Sequence, residues 1–188
     1  MANLNTATAL YNLTGPTSST ETAIAAAGST TVRAVLAPPQ DLAGGFFDGH
    51  PFKVRVVSQA VVTGAANFTV NVYANLGGNT NLTTFTNDVL IIGSGSQAAA
   101  SKWATVFMEA IVMWDSVSQQ LAAFWNAAAG AANIPTTPAV IKTSAAVTAT
   151  NPVGTALSNI SSVQFFVTHT LSANPTSSKL VELAIDRI

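Results

Sequence analysis

The sequence predicts an all-β fold, either a β-sandwich or a closed barrel. Two stretches alternate between apolar and polar residues, as a strand with one buried face does; they are FKVRVVSQ from Phe52 and NFTVNVYA from Asn67. Further runs of this kind recur at short intervals between clusters of Gly, Pro, Asn and Ser, which is typical of sandwiches and barrels. The 188 residues fit a single domain.

The composition narrows the classes of function. Charged residues make up only 8 % of the chain and hydrophobic residues 48 %, so the chain is expected to fold rather than remain disordered. The formal net charge of −1 gives no basic field for nucleic acid or an anionic membrane surface. Cysteine is absent, which excludes disulfides and thiolate metal ligands. No signal peptide and no apolar run of about 18 residues is visible, so we expect a soluble protein.

The first twenty residues differ from the rest of the chain. They are short polar residues with no sustained period, and their apolar groups stand apart from one another. Ordering each residue costs about 1–2 kcal/mol of backbone entropy, more than these few groups could recover in isolation. We therefore expect an extended N-terminal arm over residues 1–20 and a sandwich over residues 21–188. The arm's candidate contact residues are Leu4, Leu10, Tyr11 and Leu13.

Four segments are predicted to contribute strands to the core. Between the first two, the linker TGAA predicts a β-hairpin. Two shorter segments, TVRAVLA and TFTNDVLII, are more ambiguous. The residues expected on buried faces are Phe52, Val54 and Val56; Phe68, Val70 and Val72; Val163, Phe165, Val167 and Leu171; and Val181, Leu183 and Ile185.

The segment from Lys102 to Trp114 predicts a long strand that is covered on both faces. Its even positions are all apolar, and its odd positions are mostly apolar as well. A helix would need a polar stripe, which Glu109 alone cannot form. DSVSQQ then forms the reversal and LAAFW the returning strand.

The second apolar face of this strand needs a cover, because antiparallel sandwich strands usually show water to one side. Either a neighbouring subunit covers it, or the loop of residues 126–138 folds over it, and both interpretations remain open. The candidate subunit-interface residues are Trp103, Phe107, Ile111 and Met113.

No catalytic site is predicted. His50 lies beside Asp48 in a Gly/Pro-rich loop, and His169 lies on an apolar strand face where a satisfied, partly buried histidine is expected. The string GSGSQA (residues 93–98) fits a dinucleotide fingerprint, with Asp115 at a suitable distance, but we expect a strand instead of the required helix after it. No nucleophile elbow, H-E-x-x-H, EF-hand or P-loop string occurs. We therefore expect a protein that is not an enzyme and needs no cofactor or metal.

Aromatic residues could also form a platform for a sugar ring. Trp103, Trp125 and Tyr73 are the candidates, but no compact group of Asp or Asn ligands accompanies them. Packing in the core or between subunits is the favoured interpretation of these rings.

The order of these features resembles the jelly-roll structural proteins of tailed-bacteriophage particles, especially capsid cement (decoration) proteins. The resemblance covers roughly residues 50–188, and its most telling part is the turn W-D-S-x-S-Q-x-L from Trp114 to Leu121. The other matching parts are FKVRV, NFTVNVYANLGG, SVQFFVTHTLSAN and LVELAIDRI.

The resemblance implies a jelly-roll β-sandwich that acts as a non-enzymatic virion protein. Such a protein would bind across major capsid protein subunits on the capsid surface, stabilise the head and often form a homotrimer, after synthesis in the host cytoplasm. The arm would then supply capsid contacts. The alternative is a tail-associated receptor-binding domain of the same kind of particle, which recognises a glycan.

Overall fold

The protein is an antiparallel sandwich of two β-sheets. The computed structural model describes residues 8–37, 51–75, 78–85, 88–100, 103–115, 120–131, 139–143, 147–150, 164–172 and 175–188. Within these ranges the regular elements are all β-strands, which confirms the all-β prediction. In chain order the strands are β1 (Thr8–Gly15), β2 (Thr22–Ala23), β3 (Phe52–Val62), β4 (Ala65–Asn75), β5 (Asp88–Gly93), β6 (Gln97–Ala100), β7 (Trp103–Asp115), β8 (Gln120–Ala131), β9 (Ala139–Thr143), β10 (Val147–Thr150), β11 (Gln164–Leu171) and β12 (Pro175–Arg187).

The strands pair in a nested order. The larger sheet runs β1-β12-β3-β7-β8-β10, with β9 also on β8, and the smaller sheet runs β2-β11-β4-β5, with β6 also on β4. Strands from the first part of the chain therefore pair with later strands in reverse order: β1 with β12, β2 with β11, β3 with β7 and β4 with β5. The chain rolls up on itself, and β8, β9 and β10 extend the larger sheet beyond β7.

The core lies between the sheets and is built from alternate residues. On β3, Phe52, Val54 and Val56 are buried, whereas Lys53 and Arg55 face outward and are half-buried, as the alternation predicts. Phe52 meets Phe165 of the opposite sheet edge to face, with 5.6 Å between the ring centroids. The expected buried faces of β4 and β11 are confirmed in the same way: Phe68, Val70 and Val72, and Phe165, Val167 and Leu171. Val163 lies outside the described residues.

The predicted hairpin between β3 and β4 is wrong. The two strands belong to different sheets, because β3 pairs with β12 and β7, whereas β4 pairs with β11, β5 and β6. The connection at Thr63 and Gly64 therefore crosses the edge of the sandwich. Both strands direct an alternating apolar face toward the same core, and alternation shows which residues are buried without showing which strands are neighbours.

The expected N-terminal arm is corrected for residues 8–15, which form the edge strand β1 of the larger sheet. Leu10 is in register with Leu183 of β12, and Leu13 with Leu180. Both N-terminal leucines pack against the core. Residues 8–15 need no regular alternation of apolar and polar residues, because β12 supplies the hydrogen bonds for this edge strand. A few apolar contacts with the core are then sufficient to hold it.

The predicted set of buried residues on β12 is also partly corrected. Leu183 and Ile185 are buried as predicted, but Val181 is only half-buried and Leu180 takes its place in the core. The register between β12 and β3 shifts between Leu180 and Glu182. A β-bulge inserts one residue and so reverses the facing on one side of it.

The long strand β7 is confirmed, and the strand that returns from it is longer than expected. The buried side chains of β7 are those at even positions from Ala104 to Val112. β8 runs antiparallel to β7 as far as Ala131, so residues 126–131 lie beside β7 in the same sheet and do not fold over its outer face. The remainder of the proposed covering loop, residues 132–138, and the reversal at residues 116–119 lie outside the described residues. The segment TVRAVLA forms isolated bridges at Arg33 and Leu36 and no strand.

Candidate interaction surface

The outer face of the larger sheet carries apolar side chains. We use the term outer face for the outward positions of β3 and β7, namely Lys53, Arg55, Val57, Gln59, Val61, Thr105, Phe107, Glu109 and Ile111, together with Tyr11, Glu182 and Asp186 from β1 and β12. Phe107 is 40 % exposed and Ile111 is 39 % exposed, on the side of β7 opposite the core. The single chain thus leaves apolar surface open on a face that usually carries polar residues in antiparallel sheets.

The charged residues of the outer face are paired with one another across neighbouring strands. Arg55 on β3 lies 2.8 Å from Glu182 and 3.6 Å from Asp186, both on β12. On the other side, Lys53 lies 3.7 Å from Glu109 of β7. The hydrogen bond that Arg55 donates to Glu182 holds the pKa of this guanidinium above its ordinary value, so it stays charged. These partly exposed pairs contribute little stability, but they leave few unpaired charges on the face.

All four predicted interface residues occupy odd positions of β7, and two of them, Phe107 and Ile111, are exposed on its outer side. Val57 is in register with Phe107, and Lys53 with Ile111. Trp103 is in register with Val61, and Met113 with Ala122 of β8. The side chains of Trp103 and Met113 lie outside those described, as do the side chains of β8, β9 and β10.

The predicted contact residues of the arm do not all face the same side of β1. Leu10 and Leu13 are directed to the core, which withdraws them from any contact with another protein. Tyr11 is 60 % exposed and is in register with Glu182, so it extends the outer face to the edge of the sheet. Leu4 lies outside the described residues.

On the opposite surface of the sandwich, the chain itself covers part of the outer side of the smaller sheet, around Tyr73 and Phe166. The rings of Phe85 and Phe166 each lie 5.4 Å from the ring of Tyr73, nearly parallel to it. The Tyr73 hydroxyl donates a hydrogen bond of 3.0 Å to Glu21. Burial, followed by the negative charge of Glu21, raises the pKa of Tyr73. Tyr73 therefore serves internal packing, and the idea that it offers an open platform for a sugar ring is wrong.

Arg33 fixes this cover to the smaller sheet. Its Nη1 lies 2.7 Å from Oδ2 of Asp88, and both side chains are fully buried. Its Nε and Nη2 donate to the carbonyl oxygens of Asn81 and Thr84, each at 2.9 Å. The guanidinium carbon lies 4.0 Å from the ring centre of Phe166, within cation–π distance. Sequence reasoning missed this ion pair, because its two partners are 55 residues apart and no local pattern joins them.

The chain has two histidines, and the sequence predicts a catalytic role for neither of them. His169 is fully buried between the sheets, where its ring nitrogens bond to the hydroxyls of Ser58 and Ser178 at 2.9 and 3.0 Å. The prediction of a satisfied histidine is confirmed, with deeper burial than expected. His50 and Asp48 lie outside the described residues. Among the side chains that the structure describes, no three or more His, Cys, Asp or Glu residues form a group able to hold a metal ion.

The glycine string GSGSQA joins two strands. Ser94 is buried, and its hydroxyl accepts a hydrogen bond from the backbone N–H of Val70 and donates one to the carbonyl of Gly95. Gly95 has φ +63°, which favours glycine. Strand β6 follows at once, so the helix that a dinucleotide site requires is not there. The interpretation as a connection between strands is therefore confirmed, and the string lacks the structural context of a dinucleotide fingerprint.

Comparison of the chain with protein-family models, with curated proteins and with solved structures gives no match. In the described part of the chain, no helix is long and apolar enough to cross a membrane.

Proposed function

We propose that this chain is a non-enzymatic structural protein of a bacteriophage particle, a capsid cement protein that stabilises the head. It would bind across neighbouring major capsid protein subunits as a homotrimer. The observation that carries the proposal is the outer face, where Phe107 and Ile111 stay exposed beside charges that are already paired.

The strand order supports a jelly-roll fold for this protein. A jelly roll is a sandwich of two sheets built from Greek keys, and it recurs in viral capsid and lectin domains. The nested pairs β1·β12, β2·β11, β3·β7 and β4·β5 are the arrangement expected when one long antiparallel hairpin is rolled into two sheets. In this scheme β8, β9 and β10 are an extension inserted between β7 and β11.

The chemistry of the outer face favours protein contacts. A partner can cover Phe107 and Ile111 without stripping water from isolated charges, since Lys53, Arg55 and Glu109 already have partners within the face. Attachment of several linked copies to a repeating shell lets each individual contact be weak while the assembly binds tightly. A near-neutral, charge-poor protein suits that role.

We expect the purified protein to be a trimer that depends on the outer face. Light scattering at micromolar concentration should report about three chains. The double variant Phe107→Ser with Ile111→Ser removes the apolar surface and should shift the protein to a monomer. Leu90→Ser is the matched control, because Leu90 is 44 % exposed on the other sheet and its loss should leave the trimer intact.

Two results would contradict a trimer that depends on the outer face. One is a monomer throughout a dilution series of the wild-type protein. The other is a trimer that the double variant at Phe107 and Ile111 leaves unchanged, which would place the contact away from the outer face.

The function itself is tested by co-sedimentation with expanded phage shells that lack their cement protein. The wild-type protein should pellet with the shells, and the double variant at Phe107 and Ile111 should stay in the supernatant, with Leu90→Ser behaving as wild type. The alternative, a tail-associated receptor-binding domain, requires the isolated protein to bind glycans on an array. Glycan binding without any attachment to shells would replace the first proposal by the second.

A further inference from the structure

The C-terminal end of β1 closes over a buried histidine. Gly15 lies so near His169 that a Cβ at this position would stand 2.6 Å from Nδ1 of the ring and would also collide with the hydroxyl of Ser178. Position 15 therefore has no room for a side chain. The backbone of Gly15 and Pro16 forms the cover that separates the imidazole from water at this edge of the larger sheet.

A chain of hydrogen bonds fixes the state of the imidazole. The Ser178 hydroxyl donates its only proton to the carbonyl oxygen of Pro16, at 2.6 Å, so toward His169 it can only accept. Nδ1 must then carry the ring proton, and Nε2 accepts a hydrogen bond from the hydroxyl of Ser58 at 2.9 Å. The neutral ring thus links both sheets and, through Ser178, holds the end of β1.

A protonated His169 ring has no negative charge beside it in this arrangement, among the residues that the structure describes. Among the described residues, the groups that contact the ring are uncharged: Ser58 from β3, Ser178 from β12, the Phe68 ring from β4, and Gly15 from β1. Thr22 of β2, which is in register with His169, is also uncharged. Two charged residues lie next to these positions, Lys179 beside Ser178 and Glu21 on the Thr168 hydroxyl; Lys179 is exposed, and Glu21 accepts its hydrogen bonds on the outer side of the smaller sheet.

Burial accordingly lowers the pKa of His169 to about 3, from an ordinary value of 6.5. A protonated ring gains stability only when water reaches it. Of the described strands around it, β1 and the two-residue β2 are sheet edges bonded along one side only, whereas β3, β4, β11 and β12 each have neighbours on both sides. Because Gly15 of β1 lies directly against Nδ1 and Pro16 accepts the hydrogen bond of Ser178, lifting the end of β1 is a small rearrangement that lets water reach the ring.

We propose that the Gly15–Pro16 end of β1 is a proton-sensitive latch, which opens when His169 takes up a proton and which uncovers the edge of β12. The latch is independent of the proposed particle function, because it depends only on contacts within one chain. The closed form is most favoured well above pH 6.5, where the histidine is neutral in both forms. As the pH falls from 6.5 toward 3, the equilibrium shifts to the open form, because the histidine binds a proton in the open form and stays neutral in the closed one. With an ordinary histidine in the open form, the opening constant should rise about 25-fold between pH 7 and pH 5.

Hydrogen exchange read by mass spectrometry tests the latch on the full chain. Between pH 7 and pH 5, after correction for intrinsic exchange rates, protection of the amides at the C-terminal end of β1 should fall by about 25-fold, while the amides of β3 and β7 keep theirs. His169→Gln retains a side chain able to bond to both serines but cannot take up a proton in this range. In that variant, protection of β1 should be the same at both pH values.

Gly15→Ala provides a second, independent variant, because the added methyl group cannot coexist with the closed latch. It should expose β1 to exchange at pH 7 already and remove the pH dependence. The proposal is overturned if β1 protection in the wild type is unchanged at pH 5, if it falls equally in His169→Gln, or if all strands lose protection together. The last outcome would mean that acid unfolds the whole sandwich and that no separate latch exists.

Discussion

Replacing Arg33 by methionine is expected to lower the free energy of unfolding by about 3–5 kcal/mol, because it leaves a buried carboxylate without its countercharge. Asp88 has a fully buried side chain, and in the wild-type protein its Oδ1 has no hydrogen-bond partner among the described residues. The variant also deprives the carbonyl oxygens of Asn81 and Thr84 of their donors. Methionine preserves much of the packing on Phe166. Urea denaturation at pH 7 measures the loss.

The pH dependence of this loss identifies its cause. Burial already raises the pKa of Asp88 above its ordinary value of 3.8, in spite of the opposing effect of Arg33. Without Arg33 the pKa rises further, so the folded variant binds a proton that the unfolded chain does not. The stability of the variant relative to wild type should therefore improve as the pH falls from 7 to 5. The contribution of His169 is common to both proteins and cancels in the difference.

Lys53→Met is the matched control for removal of a positive charge. Lys53 is partly exposed and lies 3.7 Å from Glu109, so its loss should cost about 0.5 kcal/mol or less. Equal losses in the two variants, or a loss at Arg33 that stays constant with pH, would show that the buried ion pair does not hold the cover on the smaller sheet.

The buried faces could be read from the sequence because burial follows a local period. Phe52, Val54 and Val56 alternate with polar residues, and the same period holds in β4 and β11. Neighbour relations are not local. The pairing of β3 with β12 joins residues more than a hundred positions apart, and nothing in TGAA distinguishes a hairpin from a crossing between sheets.

The apolar outer side of β7 could also be predicted, because it follows from a local pattern in the sequence. Two apolar faces on β7 indicate that both sides are in contact with something, and the structure leaves Phe107 and Ile111 open on the outer side. The polar interior was harder to foresee. The Glu21 carboxylate accepts a hydrogen bond from Thr168, 147 residues away, and a buried Arg33 resembles any surface arginine when only its neighbours in sequence are considered.

Removing residues 2–15 is expected to destabilise the protein by roughly 4–6 kcal/mol. Leu10 and Leu13 leave the core, and Leu183 and Leu180 of β12 lose the strand that covers them. Full burial of such a side chain contributes about 1.5–3 kcal/mol, and burial here is partial. For a chain of this size each kcal/mol lowers the midpoint by about 2–4 °C, so thermal denaturation should begin about 10–20 °C lower. The sequence alone, with its apparent arm, predicts a change of only a few degrees.

A point variant on the exposed side of β1 tests whether the stability that β1 provides comes from its buried side chains. Tyr11→Ser alters a side chain that is directed to solvent, so it should change the midpoint by little. The truncation also uncovers His169 permanently, because Gly15 and Pro16 close over its ring. Stability of the truncated protein should therefore depend less on pH between 6.5 and 5 than that of the full chain, since its histidine is hydrated in both states. If the truncated protein melted within a few degrees of the full chain and kept the same pH dependence, β1 would be dispensable to the sandwich, and residues 8–15 would be free to act as the assembly arm that their sequence suggests.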